Sequence, residues 1–202
     1  MVDKQGSIYY QRIEDFDFDR ACSFLEKEGI SLLNKPHDGK IIALDDEGDD
    51  YEISYEQTKQ KALSGNMFNV KIWLDYKWRV IWTCRLSNNC FVLDFHLFSL
   101  FDREKNLVSK AFYDFFQNEV SYNPKFLLGM VIDKNGETYE EDFDSVFTTD
   151  SEEVDYVTDL ICLPQKKFDE LVIMEPGFAK KELNNGFVCA SRYPEFLNYV
   201  LS

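Results

Sequence analysis

The sequence has few histidines and no apolar run long enough to cross a membrane. It contains two histidines, His37 and His96, and its most apolar stretch, residues 90–101, is interrupted by Asp94 and by the second histidine. A membrane helix needs about 20 consecutive apolar residues. The first residues also lack the basic segment followed by an apolar stretch that a secretory signal requires. We therefore expect a cytoplasmic protein without a membrane span.

The cysteines lack the spacing of a redox or zinc motif. There are five of them, an odd number, and no two form a Cys-x-x-Cys pair. Cys84 and Cys90 are close enough in sequence to meet across a turn, but buried thiols are the simpler interpretation in a reducing compartment. We expect reduced cysteines, most of them in the core.

The sequence also lacks the short motifs that mark common enzyme and cofactor sites. It has no phosphate-binding Gly-x-x-x-x-Gly-Lys-Ser/Thr loop, no Gly-x-Gly-x-x-Gly, no Gly-x-Ser-x-Gly and no His-Glu-x-x-His. These absences remove the easily recognised nucleotide-binding, hydrolase and zinc-protease classes. The sequence predicts neither a cofactor nor a metal.

What the sequence does contain is enough apolar material for a core, since 45% of its 202 residues are hydrophobic and 16% are aromatic. From Phe68 to Phe98, apolar residues recur at a period of two between two turns, which predicts an antiparallel three-stranded meander. From about residue 103 to 120 they recur at helical spacing. The predicted fold class is α+β, an antiparallel sheet covered by helices.

We expect one domain; a boundary near residue 150 is the alternative, although no Pro/Gly/Ser-rich linker stands there.

Asp94 and His96 are the most suggestive pair for chemistry. They stand two residues apart on a predicted strand, which places both side chains on one face of the sheet. Such a pair could bind a metal, or act as a base and its orienting partner. A strand with one wet face, or a buried polar pair, explains the same pattern, and the sequence offers no third ligand.

Acidic residues outnumber basic ones by 37 to 22, for a formal net charge of -15. This balance disfavours nucleic acid and anionic membranes as partners and attracts cationic proteins. Residues 45–56 carry seven acids and no base, and residues 133–159 carry eleven acids and one base. The rest of the chain has 19 acids and 21 bases. The negative charge is therefore concentrated in two segments.

We interpret these segments as a candidate surface for a basic protein partner; solvated loops without a partner are the alternative. The candidate contact residues are Asp45, Asp46, Glu47, Asp49, Asp50, Glu140, Glu141, Asp142 and Asp144. The hypothesis is a non-catalytic binding module, such as an inhibitor or immunity-type protein that neutralises a basic toxin or nuclease. Two alternatives stay open: an enzyme with a cleft around Asp94 and His96, and a structural or regulatory subunit with an aromatic interface.

Overall fold

The computed structural model describes residues 4–34, 38–136, 140–148, 153–154, 158–173 and 177–202. His37 lies outside these residues. A large antiparallel sheet with helices on both faces confirms the predicted α+β class. Within the described residues, no helix has the length and apolar character needed to cross a bilayer.

In the described part of the chain, the large sheet has eleven strands. They are β1 (Gln5–Tyr10), β2 (Ile30–Ser31), β3 (Ile41–Leu44), β4 (Asp50–Ile53), β5 (Phe68–Leu74), β6 (Trp78–Ser87), β7 (Cys90–His96), β8 (Leu127–Asp133), β10 (Leu160–Pro164), β12 (Ala179–Glu182) and β13 (Phe187–Ser191). A separate parallel pair consists of β9 (Glu153–Val154) and β11 (Val172–Ile173). The helices are α1 (Phe18–Lys27), α2 (Tyr55–Ala62), α3 (Asp102–Tyr122), α4 (Glu140–Thr148), α5 (Gln165–Glu170) and α6 (Pro194–Val200).

The strand order is β12-β13-β10-β8-β1-β7-β6-β5-β3-β4, with β2 beside β5. The first strand of the chain therefore lies near the middle of the sheet, between β7 and β8. The residues after position 150 contribute β10, β12 and β13 to the same sheet as the meander.

The meander β5–β6–β7 confirms the sequence prediction for this region. Each pair of neighbouring strands is antiparallel, and Thr83 of β6 lies opposite both Asn69 of β5 and Asp94 of β7. The β6–β7 turn is made by Asn88 and Asn89, whose φ angles are 45° and 69°. Two consecutive positive φ angles define the hairpin turn that matches strand twist, and asparagine adopts them at low cost.

Gly6 of β1 explains how this strand packs against β7. Its cross-strand neighbour is Phe95, whose ring lies over the glycine. A Cβ at position 6 would come within 2.1 Å of the Phe95 ring. Only glycine fits beneath that ring.

The main core lies between one face of the sheet and helices α1, α2, α3 and α6. We call this the first face; it carries Val70, Trp82 and Phe95 of the meander. Phe112 of α3 stacks on Phe95, with ring centroids 4.0 Å apart. Trp82 of β6 stacks in the same way on Phe18 of α1. The predicted helix over residues 103–120 is thus confirmed and covers the meander, as its apolar stripe requires.

Within the described ranges, helices cover the second face of the sheet at one end only. Helices α4 and α5 bury their apolar side chains there against β8, β10 and β13. The buried residues of this smaller core include Phe143, Val146, Phe147, Phe168, Val131, Leu163 and Val188. The other end of this face, formed by β5, β6 and β7, opens into a cleft.

One expectation from the sequence is wrong: not all of the cysteines are reduced. Cys162 and Cys189 form a disulfide bond. They lie directly opposite each other on β10 and β13, with Cα atoms 4.2 Å apart. The contact depends on strand pairing between residues 27 apart in sequence, which cysteine spacing alone does not reveal.

Candidate functional site

The cleft on the second face of the sheet has a volume of about 300 Å³. It is lined by Leu44, Met67, Asn69, Ile81, Thr83, Arg85, Asp94, His96 and Phe98. A volume of this size is at the lower end for a small-ligand pocket. The fold therefore places Asp94 and His96, the pair singled out from the sequence, in one cleft.

Strand alternation explains why polar side chains collect here. Asn69, Thr83 and Asp94 lie in register across β5, β6 and β7. Their immediate neighbours in each strand point to the first face and belong to the main core. The cleft floor is therefore the polar half of strands whose other half is apolar.

His96 is held by a short chain of hydrogen bonds across the sheet. Its Nε2 lies 3.0 Å from Thr83 Oγ1, and the Thr83 hydroxyl donates to Asn69 Oδ1 at 2.6 Å. A hydroxyl has a single proton to donate. Because the Thr83 proton is used in the bond to Asn69, the Thr83 oxygen accepts from His96, so Nε2 of His96 carries a proton.

Arg85, which lines the cleft, binds the carboxylates of Asp94 and Asp144. Its Nε donates to Asp94 Oδ2 at 2.6 Å, and its Nη1 and Nη2 donate to the two oxygens of Asp144 at 2.7 and 3.0 Å. Hydroxyl groups complete the cluster: Ser7 donates to Asp94 at 2.7 Å, while Ser87 and Tyr9 donate to Asp144 at 2.6 and 2.9 Å. This dense bonding satisfies charges that would otherwise be costly to bury.

The electrostatics of this cluster favour its charged form. Burial disfavours the ionised carboxylate of Asp144, but hydrogen bonds from Arg85 and Ser87 outweigh it and lower the pKa of that residue. Burial likewise opposes the charge of Arg85, yet its bonds to both aspartates raise the pKa of the guanidinium. Burial and the nearby Asp144 raise the pKa of Tyr9, so its hydroxyl stays protonated and donates.

The first acidic segment forms the turn between β3 and β4. Asp45 N–H donates to Asp49 O at 3.0 Å, and Gly48 N–H donates to Asp45 O at 3.0 Å. Gly48 has a φ of 86°, which completes a three-residue hairpin loop with a glycine bulge. The Asp45 carboxylate accepts hydrogen bonds from the backbone of Glu47 and Asp49 at 3.1 and 2.7 Å, so it supports the turn.

The acids of this segment differ in their roles. Asp46, Glu47 and Asp49 are exposed. Asp50, on β4, forms an ion pair with Lys71 of β5. The turn follows directly after Leu44, which lines the cleft.

The second acidic segment contacts Arg85 through Asp144 of α4. Asp144 lies inside the cluster around Arg85, with 13% of its side chain exposed. Its carboxylate is therefore bound within the fold rather than presented on the surface. Glu140, Glu141 and Asp142 begin α4, but their side chains lie outside the described part of the structure.

Two of the large apolar side chains that line the cleft are also exposed to solvent. Met67 and Phe98 are 67% and 51% exposed. Sequence reasoning did not select either residue, nor Asn69, Thr83 and Arg85. The signal for the polar residues was present, since each occupies an alternate position of an otherwise apolar strand.

Comparison with known proteins adds no assignment. No protein-family model, curated protein or solved structure matches this chain. Among the residues that the structure describes, no group of three or more histidine, cysteine, aspartate or glutamate side chains could hold a metal ion. The cleft and its surroundings are therefore the features that bear on function.

Proposed function

We propose that this chain is a non-catalytic module that binds a basic protein partner at the cleft and at the acidic turn beside it. The observation that supports this most strongly is the position of Leu44, which lines the cleft and directly precedes the turn. One continuous surface thus combines an apolar pocket with negative charge. Protein interfaces commonly bury an apolar anchor in a pocket inside a polar rim.

The apolar part of this surface is supplied by Met67, Phe98 and Ile81. Exposed aromatic and methionine side chains are enriched in binding surfaces because they give large contact areas, and methionine adapts to the shape of its partner. The cleft would receive one bulky side chain of the partner. Burial of that side chain would supply most of the affinity.

The charged part is supplied by the acidic turn. Asp46, Glu47 and Asp49 are exposed, and no hydrogen bond or ion pair of their side chains occurs among the described residues. Carboxylates of this kind contribute little to folding but attract a cationic protein over a distance of about one Debye length, about 10 Å at 0.1 M salt. An inhibitor that occludes a basic toxin or nuclease is one class of protein that uses such a surface.

A displayed library of random peptides tests the proposal with no partner specified in advance. We expect the selected peptides to place lysine or arginine beside a bulky apolar residue. The variant D46N/E47Q/D49N should bind them more weakly, mainly through a slower association rate at low salt. Phe98→Ala should weaken binding mainly through faster dissociation.

The matched control is E14Q/E28Q/E195Q, which removes the same number of exposed acids from sites distant in sequence from the turn. This variant should retain full affinity, although its net charge is the same as that of the turn variant. Equal loss of affinity in both triple variants would mean that only overall charge matters. Selected peptides without enrichment of basic residues would contradict the proposal.

A catalytic role of the cleft is the second candidate, and the contact between Thr83 and His96 favours it. A histidine within hydrogen-bond distance of a hydroxyl is the geometry of a general base and its nucleophile. Two contacts count against catalysis. Asp94 binds Arg85 and Ser7 rather than His96, and the Thr83 hydroxyl donates its proton to Asn69 rather than to His96. Turnover of activated esters that disappears in His96→Ala would support this candidate over the binding module.

A further inference from the structure

Strand β4 forms one edge of the large sheet. It is last in the strand order and, among the described residues, pairs with β3 alone. Asp50 and Glu52 are exposed on this strand. An edge strand carries a row of backbone N–H and C=O groups on its outer side that an added strand can use.

The register of the β3–β4 hairpin identifies which residues direct these groups outward. Asp45 and Asp49 form a hydrogen-bonded pair at the turn. Bonded and non-bonded pairs alternate along an antiparallel ladder. Ala43 and Tyr51 are therefore a bonded pair, and the intervening residues of β4, Asp50 and Glu52, point their backbone groups away from β3.

The same two residues carry the negative charge of this edge. Their side chains lie on one face of the sheet because they are two positions apart. Both already bind amines of this chain: Lys40 Nζ lies 2.6 Å from Glu52 Oε1, and Lys71 forms an ion pair with Asp50. A carboxylate can accept from more than one donor, so the basic side chains of an arriving strand would share Asp50 and Glu52 with Lys71 and Lys40.

We propose that the β4 edge receives an extended basic segment of the partner as an additional antiparallel strand. This inference rests on the proposed function and specifies how the partner binds. In the added strand, the residues opposite Asp50 and Glu52 exchange backbone hydrogen bonds with them and place lysine or arginine beside their carboxylates. Because Asp50 lies opposite Leu44, the added strand runs alongside the cleft.

A second copy of the chain is the competing occupant. Pairing of two β4 edges would bring Asp50 and Glu52 of both copies together, and charged edges protect proteins against such pairing. The opposite edge of the sheet, β12, carries Lys180 and Lys181 and could approach β4 of another molecule. Concentration-dependent self-association that Lys180→Glu abolishes would overturn the proposal in favour of this arrangement.

Two peptides of equal charge separate strand addition from simple attraction. Both are blocked octapeptides of alternating lysine and threonine; one is N-methylated on its lysines and the other on its threonines. In the predicted register, the lysine N–H groups face β4, so methylation there removes the inter-strand donors. We expect the lysine-methylated peptide to bind about tenfold more weakly or worse, because two backbone hydrogen bonds are lost.

Amide exchange of the protein provides an independent measurement. The amides of Asp50 and Glu52 should exchange quickly in the free protein, while those of Tyr51 and Ile53 are protected by β3. The threonine-methylated peptide should slow exchange at Asp50 and Glu52. Protection of these two amides in the free protein would show that the assigned register is wrong and would overturn the proposal.

A pair of substitutions at one position completes the test. Glu52→Gln removes the charge and keeps the outward N–H, whereas Glu52→Pro removes both, and proline is tolerated at an edge because no ladder bond to β3 is lost. We expect Glu52→Pro to bind the threonine-methylated peptide more weakly than Glu52→Gln does. The peptide comparison remains decisive if the proline variant fails to fold.

The outcomes also distinguish this inference from the proposed function. If both peptides bind wild type equally and both lose affinity in D46N/E47Q/D49N, the basic-partner proposal stands and strand addition is wrong. If neither peptide binds at millimolar concentration while library selection succeeds at the cleft, strand addition is again wrong. Failure of both assays overturns both proposals.

Discussion

The Arg85 guanidinium donates from Nη1 to Asp144 Oδ2 at 2.7 Å, joining β6 to α4 across 59 residues of sequence. The same guanidinium binds Asp94 on the neighbouring strand. Helix α4 therefore contacts the sheet through an ion pair as well as through its apolar side chains. Arg85 also lines the cleft, so this contact holds one of the cleft residues in place.

Replacement of Asp144 by asparagine should destabilise the fold. The substitution leaves Arg85 in a buried site with one carboxylate instead of two. It also replaces one of the two oxygens that accept from Ser87 and Tyr9 with an NH2 group, which can only donate. Breaking a buried ion pair costs about 3 to 5 kcal/mol, and we expect a value near the lower end because the side chain is partly exposed. Chemical denaturation of both proteins at neutral pH measures the difference.

The control is Asp114→Asn on helix α3. Asp114 also pairs with a cation, Lys110 at 2.7 Å, but within one helix and near the surface. Such pairs contribute about 0.3 to 0.5 kcal/mol. A loss of similar size in the two variants would contradict the role assigned to the Arg85 cluster.

Acid should weaken the same cluster. The pKa of Asp144 is lowered in the folded protein, so its contribution to stability is complete above the unfolded value of about 3.9 and is lost as the pH falls through the folded value. The stability difference between wild type and Asp144→Asn should therefore be constant at neutral pH and shrink below about pH 4. Denaturation midpoints measured across this range check the sign; a difference that grows in acid would contradict it.

The disulfide gives a direct chemical prediction. Cys22, Cys84 and Cys90 are free, so unfolded protein should react with three equivalents of a thiol reagent before reduction and five after it. Burial raises the pKa of Cys22 to about 12 and also raises the pKa of Cys84. Because the thiolate is the reactive form, both should react slowly in the native protein. Five reactive thiols without reductant would show that the bond does not form in solution.

Local pattern predicted the meander, helix α3 and the shared face of Asp94 and His96, because each follows from side-chain periodicity. It did not predict that β1 lies between β7 and β8 or that Asp144 meets Arg85. These contacts depend on strand order, which no local repeat encodes. Helix α2 was missed although its signal was present: Ser54 and Gln57 form the capping box that marks a helix start.

Phe112 should be a main contributor to the core beneath the meander. It is fully buried and stacks on Phe95. Phe112→Ala should therefore cost about 3 to 5 kcal/mol. Leu107→Ala on the same helix is the comparison, since Leu107 is 39% exposed and surface substitutions usually change stability by about 0.5 kcal/mol or less. Equal denaturation midpoints for the two variants would mean that α3 packs differently.

The acidic turn should divide into one structural residue and three that are dispensable for folding. Asp45 accepts two backbone hydrogen bonds that hold the turn, whereas Asp46, Glu47 and Asp49 are exposed and close enough to repel one another. Asp45→Ala should therefore lower the melting temperature, because the amides of Glu47 and Asp49 lose their acceptor. D46N/E47Q/D49N should leave the melting temperature unchanged or raise it slightly, because like charges are removed from one loop. Asp45→Asn separates the two effects, since its amide oxygen still accepts both bonds while its charge is gone; it should resemble wild type. A large loss of stability in the triple variant would assign these acids to the fold itself and remove the reason for regarding them as a surface kept for a partner.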